Sequence, residues 1–252
     1  MARGPTIRQK KILETLHDDG SVGVDELSRL LQVSSMTIRR DLSYLESSGY
    51  LVRTHGGAIK SQAIDGMFSF ERRLHRNRNT KERICAAAAE FVTPASVIFI
   101  DCGTTLFRLA GFLRSVDRLR IVTNSLPVVS ELGGESGVHL TLTGGNYVPE
   151  RKALYGRVAE EVLTSVHADL AFIGADGVSS ERGLTSFDEK EGAISRSMAN
   201  ASDRVFLLCD SSKIGYSSFY RFGPLTLANA IITDSENDVF PAEVSGIDVI
   251  RV

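Results

Sequence analysis

The stretch from Ser34 to Leu45 constrains this chain most, because it reads as a short helix with two unlike sides. Ile38, Leu42 and Leu45 recur at i, i+4 and i+7 and form an apolar stripe. Ser35, Met36, Arg39, Arg40 and Ser43 fall on the other side, with Thr37 between the two. Partners for the stripe lie upstream. Residues 6–18 carry Ile7, Ile12, Leu13 and Leu16 at helical spacing, and Asp19-Gly20 ends that run. A second short helix fits Val24 to Leu31, with Leu27, Leu30 and Leu31 expected inward. Gln32-Val33-Ser34-Ser35 is a tight connection in which Ser34 or Ser35 caps the third helix, of about residues 35–48. Gly49 is placed to end it. Tyr50 to Thr54 then reads as a strand, and His55-Gly56-Gly57 as a turn into Ala58-Ile59-Lys60.

Three short helices followed by a β-turn-β wing describe a winged helix-turn-helix. In that architecture the third helix enters the major groove of double-stranded DNA, its N-terminal residues at base edges. Arg39 and Arg40 suit this place, since the guanidinium fork bonds guanine O6 and N7 together. Ser34, Ser35, Met36 and Ser43 lie beside them, and Thr37 is placed to bond a phosphate. Arg53 and His55 on the wing are expected at the phosphate backbone or a minor groove. The charge distribution agrees. Residues 1–83 hold 15 Lys and Arg against 10 Asp and Glu, while the remainder holds 14 against 21. A basic N-terminal part on an acidic body suits a nucleic-acid partner for the first part only.

Residues 60–80 read as a connector, polar and loop-like from Ser61 to Gly66 and dense in Arg and Asn from Glu71 to Lys81. From Lys81 onward the pattern alternates. Ile84, Ala87, Ala88 and Phe91 make a helix face, and Val97 to Ile100 is a buried strand. Strands at Arg120–Thr123, Val138–Leu142, Leu170–Ile173, Val205–Cys209 and Ala230–Thr233 follow, with a helix at Asp188–Asn200. Apolar strands alternating with helices imply an α/β fold with a mostly parallel sheet covered on both faces. The expected domains are residues 1–59 and 81–252.

Small polar clusters follow five of these strands. Asp101-Cys102-Gly103-Thr104-Thr105 sits between a strand and a helix, where glycine permits close backbone approach and the helix offers free N–H groups to an anion. Thr123-Asn124-Ser125, Thr143-Gly144-Gly145, Gly174-Ala175-Asp176-Gly177 and Asp210-Ser211-Ser212-Lys213 occupy equivalent positions. In an open α/β sheet such turns share the edge where ligands bind.

Arg8-Gln9-x-x-Ile12-Leu13, Glu26-Leu27, Val33-Ser34-x-x-Thr37-Ile38-Arg39-Arg40-Asp41-Leu42-x-x-Leu45 and Gly49-x-x-x-Arg53-x-His55-Gly56-Gly57-Ala58 resemble the DeoR family of bacterial regulators. Asp41 is expected to orient arginine side chains or cap structure. Asp169-x-x-Phe172-x-Gly174-x-Asp176-Gly177, Gly183-Leu184-Thr185, Glu191, Met198 and Asp210-x-Ser212-Lys213 resemble the effector domain of the same family. That domain is similar in fold to ribose-5-phosphate isomerase. The resemblance implies a sugar phosphate or related metabolite as effector, with Lys213 facing the anion, Asp101 and Asp176 accepting from hydroxyls, and Glu191 among the site residues. It also implies a repressor. One departure is local: Glu191-Gly192 stands where the family has Glu-Ala, and glycine inside a helix costs about 1 kcal/mol against alanine.

The competing reading is a sugar-phosphate isomerase. Those enzymes carry Asp-Gly-Ala-Asp where this chain has Ile173-Gly174-Ala175-Asp176, and no Lys-Gly-Gly-Gly stretch follows. Enolisation needs a base and a group to stabilise the enediolate, and isoleucine supplies neither. The expectation is therefore a binding pocket without catalytic residues. The five histidines are scattered without metal-ligand spacing, and no cofactor or metal is expected. Cys85, Cys102 and Cys209 are far apart and read as thiols in a reducing compartment. With no apolar run of membrane-spanning length and no signal-peptide pattern, a cytoplasmic protein with no membrane partner is expected. Helix-turn-helix proteins commonly pair on half-sites, so a homodimer or homotetramer is expected.

Overall fold

The computed structural model describes residues 6–47, 50–54, 56–60, 70–235 and 246–252. Gly49, His55 and the loop Ser61 to Gly66 lie outside them. Contacts divide the chain into Met1–Arg73 and Leu74–Val252. Among the described residues no helix is long and apolar enough to cross a membrane.

In the first unit α1 (Ile7–Asp19) starts at a capping box between Thr6 and Gln9 and stops at Gly20, in the left-handed region at φ 71°. β1 (Ser21–Gly23), α2 (Val24–Leu31) and α3 (Ser35–Ser47) follow, then β2 (Leu51–Arg53) and β3 (Gly57–Lys60). The strands form an antiparallel sheet in the order β1-β3-β2, so the wing gains a third strand the sequence pattern did not announce. Ile12, Leu13, Leu16, Leu27, Ile38, Leu42, Leu45 and Leu51 make one core. Two expectations fail. Ile7 is 68% exposed, because a five-residue step to Ile12 turns it about 140° round the helix. Leu30 is 53% exposed, because the stripe of α2 centres on Val24, Leu27 and Leu31.

The second unit opens with the end of α4 (Phe70–His75), followed by α5 (Arg78–Ala89) and β4 (Val97–Ile100). α6 (Thr104–Leu113), β5 (Leu119–Thr123), α7 (Leu126–Leu132) and β6 (Val138–Leu142) come next. A hairpin of β7 (Asn146–Val148) and β8 (Ala153–Tyr155) leads into α8 (Arg157–Thr164) and β9 (Ala168–Ile173). β10 (Gly177–Ser179), β11 (Gly183–Ser186), α9 (Glu189–Asn200), β12 (Ser202–Leu208), β13 (Tyr220–Gly223), β14 (Ala230–Thr233) and β15 (Asp248–Arg251) complete it.

Seven strands form a parallel sheet in the order β15-β14-β12-β9-β4-β5-β6. Its central strands are apolar at successive positions because both faces are covered. Ile98, Ile100, Ile121, Phe172 and Phe206 pack with residues of α5, α6 and α7. Phe99, Val122, Ala171, Ile173 and Leu207 pack on the other face with α8, α9 and the small antiparallel sheet β10-β11-β13. The chain runs outward from β4 through β5 to β6, then returns to place β9 on the far side of β4. The carboxyl ends of β4 and β9 therefore flank the point where strand order reverses, the position at which open α/β sheets leave a crevice.

Candidate functional site

In the first unit the exposed side of α3 is built from its N-cap. Ser34 is the capping residue: its Oγ accepts the Thr37 N–H at 3.3 Å and lies 2.9 Å from Thr37 Oγ1, which leaves Thr37 half-buried. Ser35, Met36, Arg39, Arg40 and Ser43 are exposed, Met36 to 70%. Asp41, the one acid between Ser34 and Leu45, faces inward. It accepts from Arg8 Nε at 2.5 Å and from Gln9 Nε2 at 2.9 Å. Its partners are thus on α1, not the neighbouring Arg39 and Arg40. The outer side of α3 is left basic and polar, which suits a polyanion. Arg53 is half-buried and braces the wing: its Nη1 donates to Ser43 Oγ at 2.9 Å, and its backbone N–H donates to Glu46 Oε1 at 3.1 Å. Ser43 Oγ in turn donates to the Arg39 carbonyl at 2.9 Å. His55 lies outside the described residues.

In the second unit the turn after β4 passes through a glycine into a helix. Gly103 has φ +121°, a conformation that side-chain-bearing residues rarely adopt, and it caps α6 without a side chain. Thr104 and Thr105 follow in the first turn, where backbone N–H groups are free and the helix dipole is positive. Lys81, on α5, reaches this point: its Nζ donates to Thr104 Oγ1 at 2.9 Å, although the residue is only 5% exposed. From the end of β12, Lys213 Nζ lies 3.5 Å from Asp176 Oδ1, which follows β9. Asp176 Oδ2 accepts the Phe187 N–H at 3.0 Å. Asp210 takes both the backbone N–H and the hydroxyl of Ser212. Burial pushes its carboxyl up, but the Ser212 bonds and the charges of Lys213 and Lys81 outweigh that and hold it below the usual range. Both lysines therefore act on one carboxylate, and Gly103-Thr104, Asp176 and Asp210 form one locus with them.

A second group of side chains completes the crevice. Asp101 is buried, and burial raises its carboxyl to about 6 despite bonds from Ser195, Cys102 and Gly174. Ser195 Oγ donates to Oδ2 at 2.6 Å, and the Cys102 N–H to Oδ1 at 2.7 Å. Arg151, from the turn between β7 and β8, places Nε 2.8 Å from Glu191 Oε1 on α9. Burial works against the Arg151 charge, but Glu191 and Asp176 outweigh it and the guanidinium stays cationic. Tyr155 OH donates to Glu191 Oε1 at 3.3 Å and lies 3.0 Å from Cys102 Sγ. The Cys102 thiol is driven well up by burial and then by Asp101 and Glu191, so it is a poor nucleophile.

The other expected residues sit elsewhere along the same edge. Thr123, Asn124 and Ser125 are buried at the end of β5. Thr123 Oγ1 donates to the Ile100 carbonyl at 2.6 Å, Ser125 Oγ caps α7, and Asn124 Nδ2 donates to the Leu154 carbonyl at 3.2 Å. Asn124 Oδ1 is buried without a partner among the described residues. Gly144 and Gly145 follow β6, the edge strand two places from β4; a Cβ on Gly145 would lie 2.5 Å from the Tyr155 carbonyl oxygen, which gives that glycine a packing role. Gly177 likewise admits the backbone of Tyr216.

Lys81, Arg151, Tyr155 and Ser195 were not singled out in the sequence. Lys81 carried a signal: with Ile84, Cys85 and Ala88 it forms the buried stripe of α5, and a lysine on such a stripe needs a buried partner. Arg151 carried none, since only the β7–β8 hairpin brings it to Glu191. Gly192 is explained by its neighbours. A Cβ there would lie 2.7 Å from Tyr220 Cδ1 and 2.9 Å from Phe222 Cβ, so the helix gives up a methyl to let β13 approach. The helix itself is intact from Glu189, with Asp188 capping Lys190.

Comparison with known proteins bears on both units. A DeoR-like helix-turn-helix domain matches residues 8–62, and the DeoR C terminal sensor domain matches residues 76–235. A putative aga operon transcriptional repressor of Escherichia coli O157:H7 is 33% identical over 99% of this chain and 94% of its own length. The HTH-type transcriptional repressor GlcR of Bacillus subtilis (strain 168) is 34% identical over 88% of this chain and 86% of its own. Among solved structures, ribose 5-phosphate isomerase A of Methanocaldococcus jannaschii aligns with a TM-score of 0.41 and 17% identity, over 55% of either chain.

Proposed function

The chain belongs to the DeoR family of transcriptional regulators, and from that premise we propose that it is a cytoplasmic repressor of sugar or related carbon metabolism genes, released from its operator by a phosphorylated sugar. The observation that carries the effector reading is the Lys81 ammonium on Thr104 at the N-terminus of α6, with Lys213 across the same crevice. A phosphate there meets backbone N–H groups and two ammonium groups in an otherwise acidic unit. Asp101, Asp176 and Glu191 then stand beside it as acceptors for sugar hydroxyls. The names of the Escherichia coli and Bacillus subtilis relatives support the repressing role. On the DNA side, Ser35, Met36, Arg39 and Arg40 read bases, while Ser34, Thr37, Ser43 and Arg53 set the helix and wing. A homodimer or homotetramer places two such helices on half-sites one helical turn, about 34 Å, apart or multiples of it.

Ile173, at the position of the acid in sugar-phosphate isomerases, is fully buried in the core of the sheet and cannot serve as a base there.

Calorimetric titration with ribose 5-phosphate, fructose 6-phosphate, glucose 6-phosphate and their unphosphorylated parents tests the proposal. One or more phosphorylated members are expected to bind, and their parents to bind far more weakly. Coupling is reciprocal, so a sugar phosphate that weakens DNA binding by a factor, commonly about 5- to 150-fold, must itself be bound more weakly by the DNA complex by the same factor. Equal affinity for sugar and sugar phosphate defeats the phosphate-site reading.

A further inference from the structure

Resting on the reading of α3 as the base-reading helix, we propose that Met36 recognises the 5-methyl group of a thymine in the major groove, about one or two base pairs from a guanine met by Arg39 or Arg40. Every other apolar side chain of α3 has a partner within the first unit. Ile38, Leu42 and Leu45 are fully buried, and Tyr44 packs against the same core. Met36, the second residue of the helix, is 70% exposed, more than any other large apolar side chain among the described residues. Its exposure does nothing for the folded state, and the side chain becomes favourable only when an apolar partner takes it out of water.

The start of α3 narrows what that partner is. A recognition helix places its N-terminal residues at base edges. Ser34 Oγ and Thr37 Oγ1 lie 2.9 Å apart, and Ser34 Oγ also accepts the Thr37 N–H at 3.3 Å, so these two hydroxyls serve the helix start. Ser35 and Met36 are left as the exposed side chains of the first turn. Methionine donates no hydrogen bond and its sulfur is a weak acceptor, so it cannot read the donor and acceptor pattern of the groove. Among the four bases only thymine shows an apolar group there, its 5-methyl. Three rotatable bonds let the side chain settle on that methyl from more than one approach. Arg39 and Arg40 are exposed as well and follow three and four residues on, about 4.5–6 Å along the axis. Base pairs are about 3.4 Å apart, which puts the thymine one or two steps from the arginine-read guanine.

The test uses the full chain and a duplex that it selects from a random pool. Each thymine of the selected site is replaced in turn by uracil, which lacks only the 5-methyl. One such replacement, about one or two base pairs from a guanine, is expected to weaken the wild type about 3- to 10-fold in gel-shift titration. Met36→Ala should bind the thymine duplex as weakly as the wild type binds that uracil duplex, and should lose nothing further on it. Met36→Leu should keep most of the preference for thymine, and Met36→Gln should lose it. All three variants should melt with the wild type, because the side chain is exposed. A wild type indifferent to every replacement of thymine by uracil overturns the methyl contact. Full preference for thymine in Met36→Ala assigns any such contact to another residue and overturns the role of Met36. A wild type that selects no sequence removes the base-reading role of α3 as well, which separates the two.

Discussion

Arg8 of the first helix holds Asp41 of the third, with Nε 2.5 Å from Oδ2. The pair explains why a carboxylate can sit next to Arg39 and Arg40 in α3 without pairing with either. It faces α1 and fixes the rotation of α3 on it, so that Arg39 and Arg40 stay exposed. Asp41→Ala is expected to cost about 1–3 kcal/mol of stability. That is less than the ~3–5 kcal/mol of breaking a fully buried pair, because the Arg8 side chain is 40% exposed and its stranded charge stays hydrated. Scanning calorimetry of the full chain checks this, and an unchanged transition refutes the clamp.

Arg39→Ala and Arg40→Ala should behave oppositely. Both side chains are exposed, so stability should move by no more than about 0.5 kcal/mol. Affinity for the specific site should fall by about 1–3 kcal/mol wherever the arginine reads a guanine. Gel-shift titrations on a duplex selected from a random pool, against unselected duplex, separate base reading from phosphate attraction. Equal loss on both duplexes assigns the residue to phosphates alone.

Gly192→Ala sets helix propensity against packing. Propensity alone favours alanine by about 1 kcal/mol. The methyl, however, would meet Tyr220 and Phe222 well inside contact distance. Overpacking of this kind costs about 1–3 kcal/mol, so the variant should be less stable, measured as a lower denaturant midpoint. Adding Tyr220→Ala should recover part of the loss by removing the ring atoms nearest the new methyl. A variant more stable than wild type contradicts the close approach of β13.

Asp101 predicts an unusual pH dependence. Its folded-state value of about 6 lies above the ordinary 3.8. The folded chain therefore binds the proton more tightly than the unfolded chain does. Stability from this group is fully present below about pH 4 and falls as pH rises through about 6, by up to ~3 kcal/mol. Most carboxylates run the other way. Asp101→Asn is neutral throughout, so its stability relative to wild type should climb between pH 4 and 7. The slope of that difference is the readout, since altered bonds to Ser195, Cys102 and Gly174 add only a constant offset. A flat difference means that Asp101 is not raised.

Much of this was legible in the sequence. The helices of the first unit followed from apolar spacing and from Ser34 and Gly20 at their ends. The central strands of the large sheet stood out because burial on both faces makes them apolar throughout. The third strand of the wing, β1, the β7–β8 hairpin and the small sheet β10-β11-β13 did not, because three or four residues of mixed character carry no period. The strand-to-helix turn at Gly103-Thr104-Thr105 was visible as a local motif. Arg151 was not, since a turn residue becomes a buried cation only when the hairpin folds it against Glu191.

The crevice draws its side chains from Lys81 to Lys213, whereas the helix carrying Arg39 and Arg40 and its wing are finished by Lys60. Protein synthesis proceeds from the N-terminus, and domains tend to fold in that order. A chain still on the ribosome thus completes its helix-turn-helix part long before the crevice residues have all been made. If the crevice takes the proposed effector, the first unit can form while the chain is still blind to it, and control begins only after Lys213 has emerged and the parallel sheet has closed.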